Sequence, residues 1–97
     1  MAVKHVVWMK FRYGVSAERV AGHVETTRAL SGQIPRLESI DCAETFTDRA
    51  GGFTHCIIAT LPDRDALPEY LAHPAHRTLA AALVADTDEI LVMDIEV

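Results

Sequence analysis

The order in which the hydrophobic period changes along these 97 residues limits the fold more than any other feature. Val3 to Arg12 alternates with a period of two: Val3, His5, Val7, Met9 and Phe11 share one face, and Lys4, Val6, Trp8, Lys10 and Arg12 the other. After Gly14, Ser16 can cap a helix in which Val20, Val24, Thr27 and Leu30 recur at helical spacing until Gly32. Ile34-Pro35 breaks the chain. Leu37 to Phe46 then reads as a partly exposed strand carrying Glu38, Asp41 and Glu44, and Thr47 to Gly52 as a loop. Phe53 to Leu61 alternates again. A short helix follows Pro62 and starts near Asp63 or Asp65, with Pro68 confined to its first turn. His73 caps a third helix with Pro74 at its first position, running through Leu79, Ala80 and Leu83 to about Ala85. Glu89 to Val97 closes the chain as a strand that is apolar on both faces, with Ile90 and Val92 on one and Leu91, Met93 and Ile95 on the other.

The order β-α-β-β-α-α-β predicts an α+β, ferredoxin-like split βαβ protomer. Its four strands form one antiparallel sheet, and its helices cover one face. That leaves Val6, Trp8, Leu91, Met93 and Ile95 bare on the other face. A soluble monomer rarely exposes so large an apolar patch. A homodimer packed sheet against sheet, a dimeric α+β barrel, is the expected remedy.

Residues 1–97 are enough for a single domain. The net charge of −5 and the scattered lysines and arginines exclude a nucleic-acid surface. No apolar stretch is long enough to cross a bilayer, and no signal peptide is expected ahead of Val3-Lys4-His5-Val6. Cys42 and Cys56 lack a CxxC spacing and read as buried free thiols within strands. A soluble cytoplasmic protein is expected.

Chemistry concentrates in Tyr70-Leu71-Ala72-His73-Pro74-Ala75-His76, where a phenol and two imidazoles surround a proline. Histidine exchanges protons readily near neutral pH. Neutral His76 in an apolar pocket could act as a general base, and Tyr70, folded back across the helix break, could orient it or polarise a carbonyl. The same pair could simply fasten two helices through a buried hydrogen bond. His5 and His55, inside strands, could bind carbonyl oxygens or form a satisfied cross-strand pair. His73 reads as a helix cap, and His23 as helix surface or pocket rim. His73 and His76 lack a third ligand nearby in sequence, so no metal is expected.

These pieces together resemble the stress-responsive dimeric α+β barrel (Dabb) family. They are Lys4-His5-Val6-Val7 with Lys10-Phe11, Ile34-Pro35, Gly52-Phe53-Thr54-His55, Ala66-Leu67 with Tyr70, His73-Pro74-Ala75-His76 and Leu91-Val92-Met93-Asp94. The resemblance spans the whole chain and implies the ferredoxin-like dimer. Its polyketide cyclase members, of the olivetolic acid type, close a poly-β-keto acyl chain by an aldol condensation without metal or organic cofactor. It implies catalysis by His76 and Tyr70, with His5 and His55 facing the same cavity. Val7, Met9, Val24, Thr27, Ile40, Ile57, Leu79, Ala80, Ile90 and Val92 would line it. The pocket carries fewer aromatics than cyclase-type pockets, having His23, Val24 and Thr27 on one wall and Leu79, Ala80 and Thr87 on another.

Two functions therefore stay open. One is aldol-type cyclisation or enolisation of a β-keto acyl substrate; the other is a non-catalytic dimer or oligomer whose cavity holds a small hydrophobic ligand. A related cofactorless oxygenase or isomerase shares the architecture, but the HPxH arrangement points away from it.

Overall fold

The computed structural model describes every residue from Met1 to Val97. Its elements are β1 (Val3–Phe11), α1 (Ala17–Arg28), β2 (Ser39–Glu44), β3 (His55–Leu61), α2 (Ala66–Ala72), α3 (Pro74–Asp86) and β4 (Thr87–Glu96). The strands form one sheet in the order β2-β3-β1-β4, and every neighbouring pair is antiparallel. β1 and β2 thus run parallel with β3 between them, and β3 and β4 run parallel with β1 between them. These are two interlocked split βαβ units.

Local chemistry decides where the elements end. The Ser16 hydroxyl accepts from the Arg19 amide at 3.1 Å and starts α1. The helix stops at Arg28, short of the expected Gly32. The chain then turns to bury Leu30, and Gly32 takes a φ of +83° that a side chain would resist. β2 is shorter than its sequence pattern because the Leu37 amide turns back onto the Ile34 carbonyl at 3.2 Å. Pro68 falls in the first turn of α2, where its missing amide costs nothing.

Period two in β1 puts Val3, His5, Val7 and Met9 against the helices, beside Ile57, Ala59 and Leu61 of β3. Tyr70 of α2 and Leu79 and Leu83 of α3 close this core from above. α1 contributes little, since Thr27 is its only buried residue. On the opposite face Trp8 is 42 % exposed, Leu91 51 %, Met93 67 % and Ile95 43 %. β4 also lies at the edge of the sheet. Cys42 is buried and Cys56 half-buried, and neither is in a disulfide. No helix is long and apolar enough to cross a membrane.

Candidate functional site

The break between α2 and α3 positions two of the three side chains of interest. His73 ends one helix and starts the next: its Nδ1 accepts from the Ala75 amide at 3.1 Å, and Pro74 occupies the first helical position. His76 sits one turn further on. Its Nδ1 lies 3.1 Å from the Leu71 carbonyl, which the end of α2 leaves without a helical partner. A carbonyl only accepts, so Nδ1 carries the proton and Nε2 keeps the lone pair. Burial holds the His76 pKa below the ordinary histidine value; the bond to Leu71 opposes this, and nearby His5 adds to it.

Tyr70 is buried, with its ring centroid 4.6 Å from that of His76 and 5.7 Å from that of His5. The expected phenol–imidazole hydrogen bond does not form: His76 is tied to Leu71 instead. Desolvation raises the Tyr70 pKa to about 12, so the phenol stays protonated.

His5 supplies the second imidazole. Its Nδ1 is 2.5 Å from Oδ1 of Asp94, the residue directly across the β1–β4 pair. Asp94 is not among the site residues expected from the sequence. The signal was its parity, since it continues the face of Ile90 and Val92. His5, Asp94, Tyr70 and His76 meet at one apolar cavity of about 340 Å³, whose lining holds no lysine or arginine.

Of the other expected lining residues, Val7, Ile57, Leu79, Ala80, Ile90 and Val92 face this cavity. Leu71, Leu83 and Val84 join them. His55, Met9, Val24, Thr27 and Ile40 do not. His5 pairs with Ala59 and His55 with Met9, so the two histidines share a face but sit about 13 Å apart along the strand. His55 bonds the Thr54 hydroxyl at 2.8 Å and, with Val24, lines a separate groove beside α1. Met9 fills the core. Thr27 turns its hydroxyl onto the His23 carbonyl at 2.7 Å, and Ile40 lies on β2, two strands away from β1.

His23 is half-buried and borders a groove between α1 and α3. Its Nε2 lies 2.6 Å from Oδ2 of Asp86, which Arg19 also engages, and its ring stacks on Phe11. This cluster ties α1 to the end of α3.

Residues 3–97 match the family model described as the stress responsive A/B barrel domain. The chain belongs to that family. Among curated relatives, an uncharacterised Streptomyces coelicolor protein, SCO4036, is 40 % identical over 77 residues, covering 77 % of this chain and 79 % of its own. The Arabidopsis thaliana stress-response A/B barrel protein HS1 is 30 % identical over 95 % of this chain and 86 % of its own. Olivetolic acid cyclase from Cannabis sativa is 24 % identical over 97 % and 95 %. Solved family-like folds include the Arabidopsis protein At3g17210, with 29 % identity, coverage of 98 % and 94 %, and a TM-score of 0.89. A dimeric ferredoxin-like protein from Thermobifida fusca (20 % identity, coverage of 100 % and 92 %, TM-score 0.89) and a hydroxynitrile lyase from Passiflora edulis (18 %, 99 % and 93 %, 0.91) share the fold.

Proposed function

We propose that this family member is a cofactor-independent proton-transfer enzyme. It enolises a β-keto acyl substrate and closes a carbon–carbon bond by an aldol-type step. The observation that carries the reading is the convergence of two imidazoles, each held through Nδ1, and one protonated phenol on a single apolar cavity. The likeness to a protein named olivetolic acid cyclase supports the reaction class.

The steps follow from the donors and acceptors present. Nε2 of His76 takes a proton from the methylene between two carbonyls, which burial favours by keeping the imidazole neutral. The Tyr70 hydroxyl donates to the enolate oxygen as charge develops there. The enolate carbon attacks a second carbonyl of the same chain, and the His76 imidazolium returns its proton to the new alkoxide. Holding both carbonyls in one cavity makes this step intramolecular, which supplies much of the acceleration. Nε2 of His5, left free by the Nδ1 bond to Asp94, accepts from an enol hydroxyl of the substrate. The apolar walls suit a neutral acyl chain, and a lining without lysine or arginine suits a substrate whose anionic end stays outside.

The working form is a homodimer joined through Val6, Trp8, Leu91, Met93 and Ile95. The dimeric structural neighbours support it. Free Cys42 and Cys56 suit a cytoplasmic setting. A second reading keeps the cavity but not the chemistry, as a binder of a small hydrophobic ligand. The stress-response name of HS1 favours it.

The deciding experiment follows deuterium uptake at the α-carbon of an acetoacetyl thioester in heavy water by NMR. The enzyme reading expects wild type to accelerate exchange by about 10²-fold or more. It expects His76→Asn to remove that acceleration, since an amide can still donate to Leu71 but is no base. Background exchange with the wild type leaves ligand binding as the function.

A further inference from the structure

We propose that a second copy of this chain forms the lid of the cavity, so that the site is complete only in the dimer. The inference rests on the dimer reading above but not on any catalytic role for the cavity. Its starting point is Val92, which lines two spaces at once. On the helix side it borders the cavity of His5, Tyr70 and His76. On the other side it borders an entirely apolar groove of about 300 Å³ formed with Val6, Trp8, Leu91, Met93 and Ile95. The two spaces therefore meet around a single strand.

That strand is β4, whose outer side has no neighbour in the sheet. A long edge strand that is apolar on both faces invites pairing, and proteins protect such edges by covering them. The other edge is already protected: β2 exposes Ser39, Asp41 and Glu44. Phe46 beyond β2 and Tyr13 on the β1–α1 loop are exposed singly, whereas a connected apolar surface lies on the β4 side. It runs from Val84 of α3, 62 % exposed, over Val92, 54 % exposed, and around β4 onto the outer groove. Val84 and Val92 both line the cavity and are exposed, so they mark its opening to solvent.

A second copy is the occupant that this surface fits. The groove is self-complementary in chemistry, with apolar walls and no charged lining residue, as the core of an isologous interface requires. Solved proteins of this fold are described as dimeric. A partner covering the outer groove and the bare edge extends over Val92 to Val84. It thereby removes the cavity mouth from water, which strengthens the polar interactions inside.

The test reads access to the mouth and not turnover. A thiol is introduced by Val84→Cys in a Cys56→Ser background, leaving only the buried Cys42, and its alkylation by a polyethylene-glycol maleimide is timed. Sedimentation of the same samples gives the oligomeric state. In the dimer we expect alkylation about tenfold or more slower than in the monomer produced by Leu91→Asp, because the reagent must wait for the subunits to part. If Leu91→Asp fails to fold, dilution of the parent Val84→Cys protein supplies the monomer, and the rate per thiol should rise as dimer is lost. A Tyr13→Cys control on the fully exposed β1–α1 loop should react equally in both states. Equal Val84→Cys rates in dimer and monomer overturn the lid while leaving the dimer intact. Sedimentation as a monomer at every concentration overturns both.

Discussion

Nδ1 of His5 lies 2.5 Å from Oδ1 of Asp94, and the two residues face each other across the β1–β4 pair. This contact selects which imidazole nitrogen is left for the cavity. Asp94→Asn keeps an oxygen that can accept from Nδ1 but removes the charge. A charge-assisted bond is about twice as strong as a neutral one, so the exchange rate should fall by about tenfold. The Asp94 side chain is 40 % exposed, so the melting temperature should barely change. Steady-state rates and a thermal melt on one preparation check both halves.

Tyr70→Phe separates packing from chemistry. The ring keeps its contacts with His5 and His76, and loss of the hydroxyl strands no hydrogen-bond partner. Stability should hold to within about 0.5 kcal/mol. Exchange or turnover should drop by about 10²-fold, the usual scale for losing one donor to a developing oxyanion. A variant that melts much lower yet turns over normally would reverse the assignment and make the hydroxyl structural.

The fold was legible because each element carries a one-dimensional signal. The alternation of Val3, His5, Val7 and Met9 set the buried face of β1, and His73-Pro74 marked the start of α3 before any contact was known. The site was half legible. Parity puts His5 and His55 on one face, but only strand register says that His5 meets Asp94 while His55 meets Met9. Asp94 had the right parity, yet a lone carboxylate in an apolar strand means little until its partner 89 positions away is known. The pairing of His23 was hidden for the same reason. Its neighbours on α1 are exposed or half-buried, and Asp86 lies 63 residues on.

Asp86 should govern the acid limb of stability. It accepts from Arg19 at 2.5 Å and His23 at 2.6 Å, and the hydrogen bonds from Arg19 first and His23 second hold its carboxyl below the usual aspartate range. A carboxylate depressed in the native state stabilises the fold above its unfolded value of about 3.9. That contribution is lost as pH falls through the lower native value. Asp86→Asn should therefore melt below wild type at neutral pH, and the gap should close on acidification. Because α1 buries only Thr27, its amides should exchange faster in the variant. A gap that stays constant down to about pH 2, well below the unfolded value, excludes this linkage.

A second pH dependence comes from His76 and His55, and its sign follows from their burial. Desolvation lowers both, against the opposing bond to Leu71 for His76 and the Glu44 charge for His55. The protonated ring is thus the disfavoured form in the native state. Below about pH 6.5 the unfolded chain binds these protons first. Stability is then full above that value and declines as pH falls towards the native pKa values, below which the loss levels off. Replacing both residues by Asn, whose amide at position 76 can still donate to Leu71, should flatten this part of the curve. The same depression keeps His76 a base in mildly acidic solution, so exchange activity should persist below the ordinary histidine midpoint. NMR titration of the His76 ring proton tests it directly: a midpoint at or above about 6.5 would mean that water reaches the ring, and the neutral base on which the proposed chemistry depends would be lost.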